Sequence, residues 1–242
     1  MAKTMKSSLV IGCIALVLLV ASVSAEDRTP VWPPEKGPTF REITSSAETL
    51  RFFLLGMIDE YGGKTNTPDS GRWWEKDEIP RLLFQRYTTR LVALAKLSSE
   101  KEAMARVLAL YEKKSLNLAH QEVVFVSRDI FRHYPVEMGY AFIAGAYARY
   151  WCCDHFDFAN ATHKANALGD ELVNLGCSNV ELRSRLDITP IDNRLYVTPT
   201  VPLKKVFDEV QSELTEIKKN LPNKASLQTP SSITPPAGVP VP

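Results

Sequence analysis

Large apolar residues recur three and four positions apart along most of this chain, the interval that gathers side chains on one side of an α-helix. Prolines and glycines cut the pattern into segments. The periodicity predicts an all-α fold, a single domain of about seven helices. Ser45 and Glu48 make a capping-box pattern ahead of Leu50, Phe53, Leu54, Met57, Ile58 and Tyr61, and Gly62-Gly63 stops that run. A second helix is expected from Asp77 or Glu78, with Pro80 in its first turn and Leu83, Tyr87, Leu91 and Leu94 on one side. Ser99 and Glu102 open a third that runs to Lys113-Lys114, and a fourth is expected over 118–133, ahead of Pro135.

From Pro135 to Cys153 the small residues Gly139, Ala141, Ala144, Gly145, Ala146 and Ala148 interleave with Met138, Phe142, Tyr147 and Trp151, which predicts a central, closely packed helix. A tight corner over 154–157 would return the chain through a helix carrying Phe158, Ala165, Leu168, Leu172 and Leu175 to Gly176. The two would form a central antiparallel helical hairpin. Gly145, Tyr150, the Asp154-His155-Phe156-Asp157 corner and Ala159 stand in an order that resembles one tetratricopeptide repeat. The resemblance implies a helix pair and not an array, since it occurs once and a solenoid takes about three copies. A short helix is expected over 178–186, then irregular or edge-strand structure around Leu195-Tyr196-Val197, then a last helix carrying Leu203, Val206, Phe207, Val210, Leu214 and Ile217.

The two ends read differently from the middle. Lys3 and Lys6, an apolar run from Leu9 to Val20, and the small residues Ala21 to Ala25 before Glu26-Asp27 match the three parts of a signal peptide over 1–25, cleaved after Ala25. A secreted or periplasmic protein follows, with membrane attachment expected only if that segment is retained. Residues 26–42, with Pro30, Pro33, Pro34 and Pro38, predict a Pro-rich leader. Residues 222–242, dominated by Pro, Ser and Thr, predict a disordered tail too poor in large apolar groups to pack. The helical domain then occupies 43–221.

Without the signal, which takes Lys3, Lys6 and Cys13 with it, 27 basic residues stand against 28 acidic ones. A dedicated nucleic-acid binder needs a concentrated basic face, so nucleic acid is not an expected partner. The remaining cysteines, Cys152, Cys153 and Cys177, permit at most one disulfide in the chain, so packing must hold the domain together. If a helix joins Cys153 to Cys177, its ends lie roughly 30 Å apart, beyond the 7 Å or so that a disulfide closes.

The densest reactive cluster is Cys152-Cys153-Asp154-His155-Phe156-Asp157. It is similar to the paired cysteines ahead of the catalytic histidine in secreted phospholipases A2, but the histidine stands one position too near, and the calcium loop and the disulfide framework are missing. Cys153, His155 and His163 are the candidate metal ligands, although zinc sites favour shorter spacings. His155 and Asp157 are the candidate catalytic residues. Acidic residues Glu60, Asp69, Glu75, Asp77 and Glu78 crowd Trp73-Trp74, a pattern more common at helix starts than in sugar-cleaving sites. Asn160-Ala161-Thr162 is a glycosylation sequon. No nucleophile-base-acid triad and no cofactor motif can be assembled.

The expectation is therefore an exported interaction or scaffold domain that binds another protein. The alternatives are an exported hydrolase or metal-binding protein using the Cys152–His163 corner, and a carrier of small apolar ligands with Phe142, Tyr147 and Trp151 lining its cavity. An enzyme would hold His155, Asp157 and a third polar group in one pocket; a binding domain would leave them facing solvent.

Overall fold

The computed structural model describes residues 36–59, 73, 75–116, 121–159, 161–188 and 191–221. The signal segment, most of the leader, Asn160 and the tail lie outside them. Among the described residues are seven α-helices: α1 (Phe40–Ile43), α2 (Ala47–Met57), α3 (Glu78–Leu94), α4 (Glu100–Leu108), α5 (Val136–Tyr150), α6 (Thr162–Asn174) and α7 (Val201–Asn220). The fold is nevertheless mixed α/β, not all-α. Strands β1 (Glu112–Leu116) and β2 (Gln121–Phe125) form a hairpin. Strands β3 (Trp151–Cys152), β4 (His155–Ala159), β5 (Ser178–Arg185) and β6 (Asp192–Thr198) form an antiparallel sheet in the order β3-β4-β6-β5.

The central helix is present. Gly56 of α2 and Gly145 of α5 bring the two backbones into contact: a Cβ at Gly56 would stand 2.2 Å from the Phe142 carbonyl oxygen, and one at Gly145 would stand 1.9 Å from that of Phe53. Only glycine permits so close an approach. Around this pair the core collects Phe52, Phe53, Leu55 and Met57 from α2 with Tyr140, Phe142 and Ile143 from α5, all fully buried.

The helical hairpin is not formed. The helix ends at Tyr150, and Trp151-Cys152 turns through Cys153-Asp154 into β4, pairing Trp151 with Phe156 and Cys152 with His155. In His155-Phe156-Asp157-Phe158-Ala159 the two phenylalanines alternate with polar residues. That period of two buries both rings on one side of a strand, which a helix cannot do. The repeat-like order therefore reflects residue types and not a helix pair.

The expected helix over 178–186 is β5, where Val180 and Leu182 alternate with Glu181 and Arg183. The expected edge strand is β6, which lies inside the sheet between β4 and β5. The expected helix over 118–133 contains β2 and a short 3₁₀ turn at Ile130–His133, and the third helix stops at Leu108 instead of Lys114.

Capping also moved by a residue or two. Ser46, not Ser45, accepts the Thr49 amide at the start of α2. Ser99 accepts the Glu102 amide as expected, but the Glu102 carboxylate turns back to the Ser98 amide. Thr39 and Glu42 form a complete capping box for α1, at the end of the segment read as leader. The ring of Phe40 then packs on Phe53 and Tyr87.

The sheet packs its inner side, with Phe156, Phe158, Leu195 and Val197 buried, against the helices. Phe207 of α7 stacks on Tyr147 of α5 at 4.1 Å and meets Trp151 and Phe156 edge or tilted. Lys164 of α6 is fully buried, and its Nζ donates to the carbonyl oxygens of Leu55 (3.0 Å), Gly56 (3.4 Å) and Ile58. Carbonyls at a helix C-terminus have no intrahelical donor and carry partial negative charge, so the ammonium satisfies them and ties α6 to α2. No described helix is long and apolar enough to cross a membrane.

Candidate functional site

The side of the sheet turned away from the core is built from the polar halves of the same alternating strands. Cross-strand register puts His155 opposite Tyr196 and Tyr196 opposite Glu181; Asp157 faces Arg194, which faces Arg183; Ala159 faces Asp192, which faces Arg185. Three rows of side chains result. The His155 and Tyr196 rings lie 5.0 Å apart, and the Arg183 guanidinium sits over the Tyr196 ring at 4.7 Å. Arg183 also pairs with Glu181 at 2.7 Å, and Arg194 with Asp192 at 3.1 Å. The arginine side chains keep 62% (Arg183), 57% (Arg185) and 43% (Arg194) of their surface exposed, so these pairs can exchange for a partner's groups at little cost.

Asp157 joins this surface to a cavity of about 780 Å³ at the β4 side of the sheet, also lined by Asp59, Lys76, Asp77, Arg149, Trp151 and Cys152. That volume lies in the range of small-molecule sites. Burial pushes the Asp157 carboxyl up, a hydrogen bond with Asp192 and that residue's charge add to the rise, and Lys76 and Arg194 oppose it. The cavity wall is braced by Arg149, whose side chain is 2% exposed. It donates to the Met57 carbonyl at 2.7 Å, lies 3.5 Å from Asp77 and 3.8 Å from Asp59, and stacks over Trp73 at 4.1 Å. A guanidinium this deep needs compensating charge, so Asp59 and Asp77 are committed to it.

The expected site residues do not converge. His155 and Asp157 share the outer side of β4, but Asp157 lines the cavity and His155 does not. The His155 Nδ1 lies 2.9 Å from Asp154 Oδ1. His163 is exposed on α6, 4.7 Å from the Phe125 ring. Cys153 occupies the β3–β4 turn with its Sγ 3.6 Å from that of Cys152. Among the described residues no three His, Cys, Asp or Glu side chains are grouped to hold a metal ion. Cys152, Cys153 and Cys177 are free thiols.

Phe142, Tyr147 and Trp151 pack against Phe131, Phe207 and Phe156 rather than lining a shared apolar space. Of the acidic cluster near the tryptophans, Asp77 holds Arg149, while Glu60, Asp69 and the Glu75 side chain lie outside the described residues.

Arg149, Lys164, Arg183 and Arg194 had no place in the sequence reading, and Tyr196 entered it only as part of an extended run, with no functional role. The signal for the first two was a cation inside an otherwise apolar or small-residue stretch; for the others it was the alternation that marks a strand. No protein-family model, curated protein or solved structure matches this chain.

Proposed function

We propose that this chain is a protein-binding module, acting outside the cytoplasm, whose interaction surface is the outer side of the sheet β3-β4-β6-β5. The observation that carries this reading is the exposed row of Arg183, Arg194 and Arg185 on β5 and β6, with Arg183 seated over Tyr196. Arginine and tyrosine are the residue types that dominate binding energy at protein interfaces, because each combines a broad contact area with directional hydrogen bonding. Among the described strands, β5 pairs only with β6, so its outer edge offers backbone groups for strand addition by a partner. The separation of His155 from the cavity weighs against a hydrolase built on that histidine.

A photo-crosslinking amino acid at Arg183, with the same group at Lys101 on α4 as control, tests the reading in the native host. A discrete protein adduct from position 183 and none from 101 is expected, and Tyr196→Ala should weaken it at least tenfold. Equal labelling at both positions would overturn the proposal.

A further inference from the structure

We propose that Cys152 and Cys153 are a redox site that closes reversibly to a disulfide between adjacent residues. The inference does not depend on the binding role. Both side chains are exposed and their Sγ atoms already stand 3.6 Å apart. Closure brings them to about 2.05 Å. The turn that carries them is unusual. Cys153 has φ 62°, in the left-handed region that favours glycine, at a two-residue hairpin turn where glycine is the ordinary choice. A cysteine held there, next to a second one, places two thiols on one rigid corner clamped by the Trp151–Phe156 and Cys152–His155 pairs.

The peptide link fixes neighbouring Cα atoms about 3.8 Å apart, below the 4.4–6.8 Å or so of ordinary disulfides. The ring is therefore strained and easily reduced, the property of labile disulfides rather than structural ones. Cys152 lines the cavity and Trp151 beside it packs on Phe156, so closure changes the cavity lip and the tryptophan's surroundings.

The oxidant is an external disulfide such as oxidised glutathione. One cysteine thiolate attacks it and releases one external thiolate, which takes up the proton that the cysteine lost. The second cysteine, deprotonated in turn, attacks the mixed disulfide and releases the second external thiol. Two S–H bonds are lost, one S–S bond forms within the turn, and the external disulfide is reduced to two thiols.

Trypsin cleaves after Arg149 and Lys164, and the intervening peptide holds both cysteines without Cys177. The full chain equilibrated in oxidised and reduced glutathione mixtures, then alkylated and digested, should yield this peptide two hydrogen masses lighter and without alkyl groups at the oxidising end. At the reducing end it should carry two alkyl groups. Glutathione alone should reopen the ring, and Trp151 fluorescence should follow the same transition. Cys153→Gly, which suits the backbone at that position, should fold and lose the transition. The proposal is overturned if the peptide keeps both thiols across the range, stops at a glutathione adduct, pairs with Cys177 or a second chain, or closes but resists glutathione.

Discussion

Glu171 shows how one residue can set the pH response of the domain. It lies on the buried side of α6, 5% exposed, and its Oε1 occupies the space left by Gly139 of α5, where a Cβ would come within 1.9 Å of it. Burial pushes its carboxyl up from 4.5 to about 7, the Asn174 side-chain amide pulls it partly back, and the charge of Asp170 adds to the rise. A folded-state pKa above the unfolded one means that the native protein holds a proton the unfolded chain has released. The contribution to stability is full below about pH 4.5 and is lost as pH rises through about 7. Glu171→Gln keeps an oxygen for Asn174 to donate to and carries no charge. In urea unfolding at pH 8 it should be more stable than the native chain by roughly 2–3 kcal/mol, with little difference at pH 4. A variant that gains nothing at pH 8 would show that the carboxyl reaches solvent when it ionises.

At the scale of elements, the contact between α2 and α5 leaves no room for a side chain at its crossing. Leucines or alanines at this crossing would hold the helices apart, whereas Gly56 and Gly145 let carbonyl oxygens approach to where a Cβ would be. Gly145→Ala cannot be absorbed by a side-chain rotation, because the atom in its way is backbone. It should cost about 3 kcal/mol or more, at the upper end for overpacked cores, measured as a lower urea midpoint with unchanged slope. Gly169→Ala on α6, where the nearest contacts are 3.5 Å away, is the control and should be neutral or mildly stabilising through helix propensity. The β3–β4 hairpin that stands in the chain between α5 and α6 belongs to the same scale. Phe156 and Phe158 enter the core from β4, Trp151 packs against it half-buried, and the sheet they start is extended by β6 and β5.

Across the whole molecule, stability should follow depth. The described core runs from α2 and α5 outwards to α7 and the inner side of the sheet, while β5 lies at an edge with most of its residues exposed. Amide exchange should accordingly be slowest in α2 and α5 and fastest among the sheet strands in β5. Equal protection in β5 and β6 would mean that the edge is covered in solution, for instance by a second copy adding a strand. The proposed binding surface and the core are two sides of one sheet, so weakening one strand should loosen both.

Helix positions were legible wherever the apolar spacing was long enough to be unambiguous: α2, α3, α5 and α7 follow from periodicity, and the small residues of α5 correctly marked a close crossing. Short segments were not legible, because five to eight residues such as His155–Ala159 or Ser178–Arg185 sample a period of two and a period near four almost equally well. The two hairpins β3-β4 and β5-β6 are joined into one sheet only by the pairing of β4 with β6 more than thirty residues later, which no local pattern announces. The sequence by itself determined the helical framework, the near-neutral charge and the adjacency of Cys152 and Cys153. Only the tertiary structure decided that His155 and Asp157 share the outer side of β4 with only Asp157 reaching the cavity, that Arg149 and Lys164 are buried, and that Arg183 sits over Tyr196. Those outcomes depend on cross-strand register and on charges compensated by distant groups, and neither has a local signature along the chain.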